Sequence, residues 1–211
     1  MDTVVEELDT LRPLARALDG RGDSVASPIY WASLDTANLM VLDSTTGVTV
    51  GRQPGTGRLQ ARVGTLPSNP LAVRVLAAAD TLFAPVPTRT VDTVTISATV
   101  PPDSLSDSLT VELADTVSNP PSTVPLAGRP ITYAITYPAT PGPVTLVTSD
   151  TAHALVTVDT VITSSAGTAA VKVRLLAPPL PDSVVVTASA RRATGAAVPG
   201  SPVTFVVRFR P

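Results

Sequence analysis

The sequence predicts an all-β chain built as two antiparallel β-sandwich domains in tandem, and three observations predict it. The apolar share, 44% of 211 residues, is carried by Val, Ala and Leu beside abundant Thr, while only 3% is aromatic. Branched side chains, stiff at χ1, suit a pleated, half-buried surface better than a helix. The 22 prolines each remove a backbone donor and are confined to strand edges, strand starts, bulges and turns, which leaves little room for long helices. Apolar and polar residues also alternate with period two from end to end, as in strands with one buried and one solvated face.

Taken in order, LRPLARAL (11–18) and SPIYWAS (27–33) are expected as strands. Between them lies the tetrapeptide Arg21-Gly22-Asp23-Ser24, which reads like the integrin-binding loop of animal matrix proteins. Two Gly and two Asp are also what a turn requires, because Gly supplies positive φ and Asp bonds its own backbone, so Arg21-Gly22-Asp23 is read as a turn. LAVRVLAAAD (71–80) reads as the final strand of the first domain, Val73 and Val75 alternating with Arg74. LFAPVPTRT (82–90) carries two prolines and loses the alternation, which makes it the expected boundary. The organisation is therefore a domain at 1–80, a linker at 81–90 and a domain at 91–211. In the second piece Val94, Ile96, Ala98 and Val100 share a face, as do Ile131, Tyr133, Ile135 and Tyr137, then Val171, Val173 and Leu175, then Val203, Phe205, Val207 and Phe209. Turn signals such as Thr46-Gly47, Pro54-Gly55, Asn69-Pro70, Asn119-Pro120-Pro121 and Ala166-Gly167 punctuate these runs, as in sandwiches and barrels. Pro28-Ile29-Tyr30-Trp31-Ala32 and Pro130-Ile131-Thr132-Tyr133-Ala134 look like one strand used twice.

A net charge of −2 gives no electrostatic footprint for nucleic acid or an anionic membrane, and no run of apolar residues is long enough for a membrane-spanning helix. With no Cys there is neither a disulfide scaffold nor thiolate chemistry. The N-terminus, MDTVVEELDT, lacks the basic-then-apolar layout of a secretion signal. Either the protein is cytosolic or the chain is an internal or processed piece of something longer.

The segment 28–64, PIYWASLDTANLMVLDSTTGVTVGRQPGTGRLQARVG, resembles the bacterial immunoglobulin-like domain of group 2 through Trp31, Ser33, Asp35, Val41, Asp43, Gly47, Val48, Val50, Gly51, Pro54, Gly55 and Thr56. The later segments LAGRPITYAITYP, TSSAGTAAVKVRLL and PDSVVVTASARR resemble the group 1 domain of invasin and intimin type, through Ala127-Gly128-Arg129-Pro130-Ile131, Gly167-Thr168-Ala169 and the strand from Val184 to Ala190. The resemblance implies two Ig-like sandwiches. It also implies a strand before LRPLARALD, where only residues 1–10 remain, so the first domain is expected to lack part of an edge.

Several residues suggest sites, and each has a plainer reading. His153, the one histidine, has Asp150 and Asp159 near it in sequence, but no Gly-x-Ser-x-Gly elbow marks a nucleophile; it reads as an ordinary surface or strand-end residue. GRQPGTGR (51–58) resembles a phosphate-cradling loop, yet lacks the Gly-Lys-Ser/Thr ending and leads into a strand, so a tight hairpin is expected. Thirteen of the fourteen Asp are followed directly by Ser or Thr. Calcium between domains is one reading; side chains bonding their own backbone at strand ends is the other, and the better one. Lys172 is the one lysine, read as a solvated cross-strand charge rather than an isopeptide crosslink. Trp31, the one tryptophan, reads as core.

No catalytic, cofactor-binding or metal site is assigned, and no enzyme activity is expected. The resemblance implies a non-catalytic stalk, spacer or adhesin arm of a bacterial secreted or cell-surface protein, hence an extracellular or cell-surface location. Its partner is a protein or cell surface, copies of itself in a fibre included, with no nucleic acid and no membrane insertion. Two alternatives stay open. In one, a fibre subunit has its open edge completed by the tail VTFVVRFRP (203–211) of a neighbour. In the other, the domains are accessories of a larger secreted enzyme.

Overall fold

In a computed structural model, residues 3–95, 104–118, 121–140, 142, 144–148, 156–176 and 181–210 are described. They are all-β, without a helix, and fall into two compact units. One unit comprises Met1–Ala78 with Arg192–Gly195, the other Ala79–Arg191 with Ala196–Pro211.

The first unit contains β1 (Thr3–Glu6), β2 (Thr10–Leu11), β3 (Ala17–Leu18), β4 (Ser24–Val25) and β5 (Tyr30–Ser33). These are followed by β6 (Leu39–Asp43), β7 (Val48–Gly51), β8 (Gly55–Val63), β9 (Leu66–Pro67) and β10 (Leu71–Leu76). One sheet runs β1-β10-β8-β5 with β9 beside β8, a second runs β2-β7-β6, and β3 and β4 form a hairpin of their own. Alternation decides which side chains face inward: Leu59 and Ala61 of β8, and Val73 and Val75 of β10, are buried, while Arg58 and Arg74 are exposed. With Val5, Trp31 and Leu39 they form the core, and Leu11, Ile29, Val41 and Leu71 pack on it.

Three features of this unit differ from the sequence reading. The expected strand at 11–18 is reduced to short β2 and β3, because Pro13 has no amide for a ladder and Leu14 is 93% exposed. The edge thought to be open is occupied, because Thr3–Glu6 pairs parallel with β10 in the register Thr3↔Val73 to Glu6↔Leu76. GRQPGTGR is a crossing between sheets rather than a hairpin: β7 pairs with β2 and β6, whereas β8 pairs with β10 and β5.

The second unit contains β11 (Thr81–Phe83), β12 (Val91–Thr95), β13 (Ser104–Leu105), β14 (Leu109–Ser118), β15 (Pro121–Pro125) and β16 (Pro130–Tyr137). Then come β17 (Val144–Val147), β18 (Val158–Ile162), β19 (Thr168–Leu175), β20 (Ser183–Ser189) and β21 (Val203–Arg210). One sheet runs β11-β14-β19-β13, with β15 beside β14 and β17 beside β19; the other runs β12-β21-β20-β16-β18. The two sheets face each other as a sandwich whose filling includes Leu109, Val111 and Val173 from one side and Ile131, Tyr133, Val186 and Phe205 from the other.

Residues 81–83, expected in a linker, form a strand pairing Leu82 with Leu113, and Leu82 is 2% exposed. Alternation alone did not announce so short a strand. In β16 the register shifts between Ile135 and Tyr137, which turns Tyr137 outward to 57% exposure although Ile131 and Tyr133 are buried as expected. The tail 203–210, considered as a strand for a neighbour, is β21, held by β20 antiparallel and by β12 parallel. Ile96, Ala98 and Val100, Asn119-Pro120, and His153 with Asp150 lie outside the described residues.

Candidate functional site

Arg21-Gly22-Asp23 is the tip of the β3–β4 hairpin, and the residue that shapes it is the one before it. The Asp19 carboxylate accepts the amides of Arg21 at 2.8 Å and Asp23 at 2.9 Å. The backbone adds Gly22 N–H to Asp19 O and Asp19 N–H to Asp23 O, at 3.0 and 2.9 Å. Gly22 sits at φ 89°, where a side chain is disfavoured. The Arg21 amide, then that of Asp23, holds the Asp19 carboxyl below its ordinary range, because both stabilise its charged form.

The glycines of 51–58 leave room for neighbours. A Cβ on Gly51 would lie 2.7 Å from the Glu6 carbonyl, and one on Gly57 would lie 2.5 Å from Leu39 Cδ1. Asn38 Nδ2 donates to the carbonyls of Gln53 and Pro54, fixing the crossing. These residues are spent on packing two sheets together.

The Asp residues that precede Ser or Thr do several structural jobs. Asp43 organises the β6–β7 turn: Oδ1 accepts from Thr45 N and Oγ1 at 2.8 and 2.7 Å, and Oδ2 accepts from Thr46 Oγ1 at 2.7 Å. The Thr45 hydroxyl, then that of Thr46, holds this carboxyl far below the usual range. Asp35 makes a two-pronged pair with Arg58, Nε to Oδ2 at 2.8 Å and Nη2 to Oδ1 at 3.0 Å. Asp159 accepts the next amide, that of Thr160, and Asp92 that of Asp107, both at 2.8 Å. Asp80 Oδ2 accepts from Thr116 Oγ1 at 2.9 Å, and its neighbour Asp115 is pushed up from the ordinary carboxyl value by burial first and by its hydrogen bond with Asp80 second. No local pattern could have paired Asp80 with Asp115, because β11 was not foreseen. Among the described residues, no three Asp, Glu or His converge to hold a metal ion.

Lys172 is exposed between buried Val171 and Val173, opposite Val147 of β17. Trp31 is buried in the first core against Gly47: a Cβ there would lie 2.8 Å from the indole. Sequence reasoning missed Tyr133 as more than an apolar strand residue. Its hydroxyl, on β16, reaches Ala169 O at 2.7 Å and Leu109 O at 3.2 Å in the facing sheet. A side chain 0% exposed must satisfy its polar atom internally, and burial pushes this phenol well above the ordinary tyrosine range.

No model of a known protein family matches the chain, and no curated protein does. Solved structures similar to it include domains 4 and 5 of the S-layer protein SbsC, 16% identical, covering 96% of this chain and 82% of that one with a TM-score of 0.35. The D00-D0 domain of intimin is 16% identical over 97% of this chain and 96% of that one, with a TM-score of 0.32. The Yersinia pseudotuberculosis adhesin InvE is 18% identical over 99% of this chain and 57% of that one, with a TM-score of 0.43.

Proposed function

We propose that this chain is a non-catalytic, load-bearing spacer or stalk module of a bacterial secreted or cell-surface protein, the setting its resemblance to bacterial immunoglobulin-like domains implies. The observation that carries the reading is strand pairing in the first unit, where the first strand, β1, lies parallel to the last, β10, over Thr3↔Val73 to Glu6↔Leu76. In the second unit β12 lies parallel to the last strand, β21, over Val91↔Val206 to Thr95↔Arg210, behind the short β11, which pairs antiparallel with β14. Tension applied to the two ends of a unit pulls parallel neighbours in opposite directions along their length. The rungs of the ladder are then strained together, whereas adjacent ends of an antiparallel pair are peeled one rung at a time. The stretches that first suggested sites support the same reading: Asp19 holds the Arg21-Gly22-Asp23 turn, Asn38 the 51–58 crossing and Asp43 the β6–β7 turn, and Trp31 is core.

Single-molecule pulling tests this. With handles at the two ends of the chain, unfolding is expected at forces well above those needed with handles at Asp182 and Arg210, which sit at one end of the antiparallel β20–β21 ladder. Equal forces in the two geometries would overturn the load-bearing reading.

A further inference from the structure

The first unit has an open groove of about 260 Å³ between the β3–β4 hairpin and the β8–β9 turn. Its apolar wall includes Leu18, Val25, Val63 and Leu66, and its polar lining includes Arg16 and Arg62. Leu18, Val25 and Leu66 are 50%, 42% and 74% exposed. Scattered exposed apolar residues need no explanation, but a contiguous set lining one depression marks a contact surface.

Two further observations specify what it takes. Arg16 and Arg62 are exposed and make no ion pair among the described residues, whereas Arg58, on the same strand as Arg62, is matched by Asp35. In a chain of net charge −2, this leaves two uncompensated cations at an apolar groove. The hairpin that forms one wall is also a separate sheet, two residues on each strand, with no third strand beside it among the described residues. A lone two-stranded hairpin is marginal in water, and one more extended segment supplies what it lacks.

We propose that the groove docks an extended acidic peptide segment, with a branched apolar side chain set among Leu18, Val25 and Leu66 and carboxylates against Arg16 and Arg62. The apolar contacts supply affinity, and the two guanidinium groups select for negative charge. This goes beyond the spacer reading and fails or survives apart from it, because a stalk that binds no peptide still bears load.

The test is fluorescence anisotropy with the full chain and three labelled hexapeptides, alternating Glu-Leu, Lys-Leu and Glu-Ser. The Glu-Leu peptide is expected to bind, and binding is expected to weaken with added salt. The double substitution Arg16→Glu and Arg62→Glu, or Leu18→Ser with Leu66→Ser, should each weaken it by about tenfold or more, the loss of about 1.4 kcal/mol of contact. All four residues are exposed, so the variants keep the parent's melting profile. Hydrogen exchange should slow at 15–29 and 61–68 when the peptide is bound. The proposal is overturned if Glu-Leu does not bind or if either pair of substitutions leaves binding unchanged. It is also overturned if Lys-Leu binds as well, or if Glu-Ser binds as well, which would mean a diffuse attraction for any polyanion, acidic polysaccharide included.

Discussion

Trp31 and Tyr133 follow the same Pro-Ile start, one in each unit, and both are buried, yet they are held by different physics. The indole of Trp31 is shaped by what is missing beside it, since Gly47 at φ 75° leaves the space that a Cβ would take. The ring of Tyr133 is held by what it reaches, two carbonyls of the opposite sheet. The cores behind them differ as well. Among the described residues, eight buried apolar side chains belong to the first unit and twenty-four to the second. A thin core depends on its one large side chain and on the turn that accommodates it. A thick core can spend an aromatic on fixing how its sheets face each other.

Trp31→Ala should have the largest effect. Removing a buried aromatic ring costs about 3–5 kcal/mol, a large part of the stability of a small domain. Hydrogen exchange followed by mass spectrometry should show amide protection lost across 3–76 and retained in β14, β16 and β19–β21. Uniform loss through the chain would mean that the first unit does not depend on its own core.

Gly47→Ala comes next. It puts a side chain at positive φ, at about 1–2 kcal/mol, and drives a methyl group into the indole. If the indole is the obstacle, Trp31→Phe should recover part of the loss in a double-mutant cycle read by urea denaturation. Strict additivity would place the whole cost on the backbone. Tyr133→Phe, which keeps the ring and deletes the hydroxyl, should cost the second unit about 1 kcal/mol. The same cycle with Ala169 is closed to mutagenesis, because the partner there is a backbone carbonyl, so the check is a lowered urea midpoint with an unchanged slope.

These residues also show what is legible in the sequence. Period-two alternation identified β10, β19 and β21 with their inward faces, because a side chain's face in a strand is decided by local parity. Trp31 was legible as core because a sandwich places a core-filling aromatic at that strand position. The β16 bulge was not legible, since one extra residue reverses parity without changing composition, and Tyr137 was assigned to the wrong face. Nor were β1 and β11, where three or four residues pair with strands far along the chain. The Asp-Ser/Thr habit announced turn and backbone bonding correctly at Asp43 and Asp159. It was silent on Asp80 with Asp115 and on Asp35 with Arg58, whose partners come from distant strands.

The gentlest test of the comparison is pH, because the carboxyls of the two units are perturbed in opposite directions. In the first unit Asp19, Asp35 and Asp43 are held below the ordinary carboxyl value of 3.8, chiefly by the Arg21 amide, the Arg58 side chain and the Thr45 hydroxyl respectively. A depressed folded value means that the unfolded chain binds protons first. The stability these groups contribute is present above 3.8 and is lost as pH falls through their folded values. In the second unit Asp115 is raised above 3.8 by burial and by Asp80. Its contribution has the opposite sign: it is present below 3.8 and is lost as pH rises through the folded value. Acidification toward 3.8 and below should therefore weaken the first unit while Asp115 favours the second. In thermal melts with exchange readout, the first unit should open earlier as pH falls. Asp115→Asn should modestly stabilise the second unit at neutral pH and leave it unchanged in acid, because the amide keeps a donor for Asp80 without the buried charge. A variant that destabilises the second unit at neutral pH would show that Asp115 is needed there as an anion, and the contrast between the two units' carboxyls would be lost.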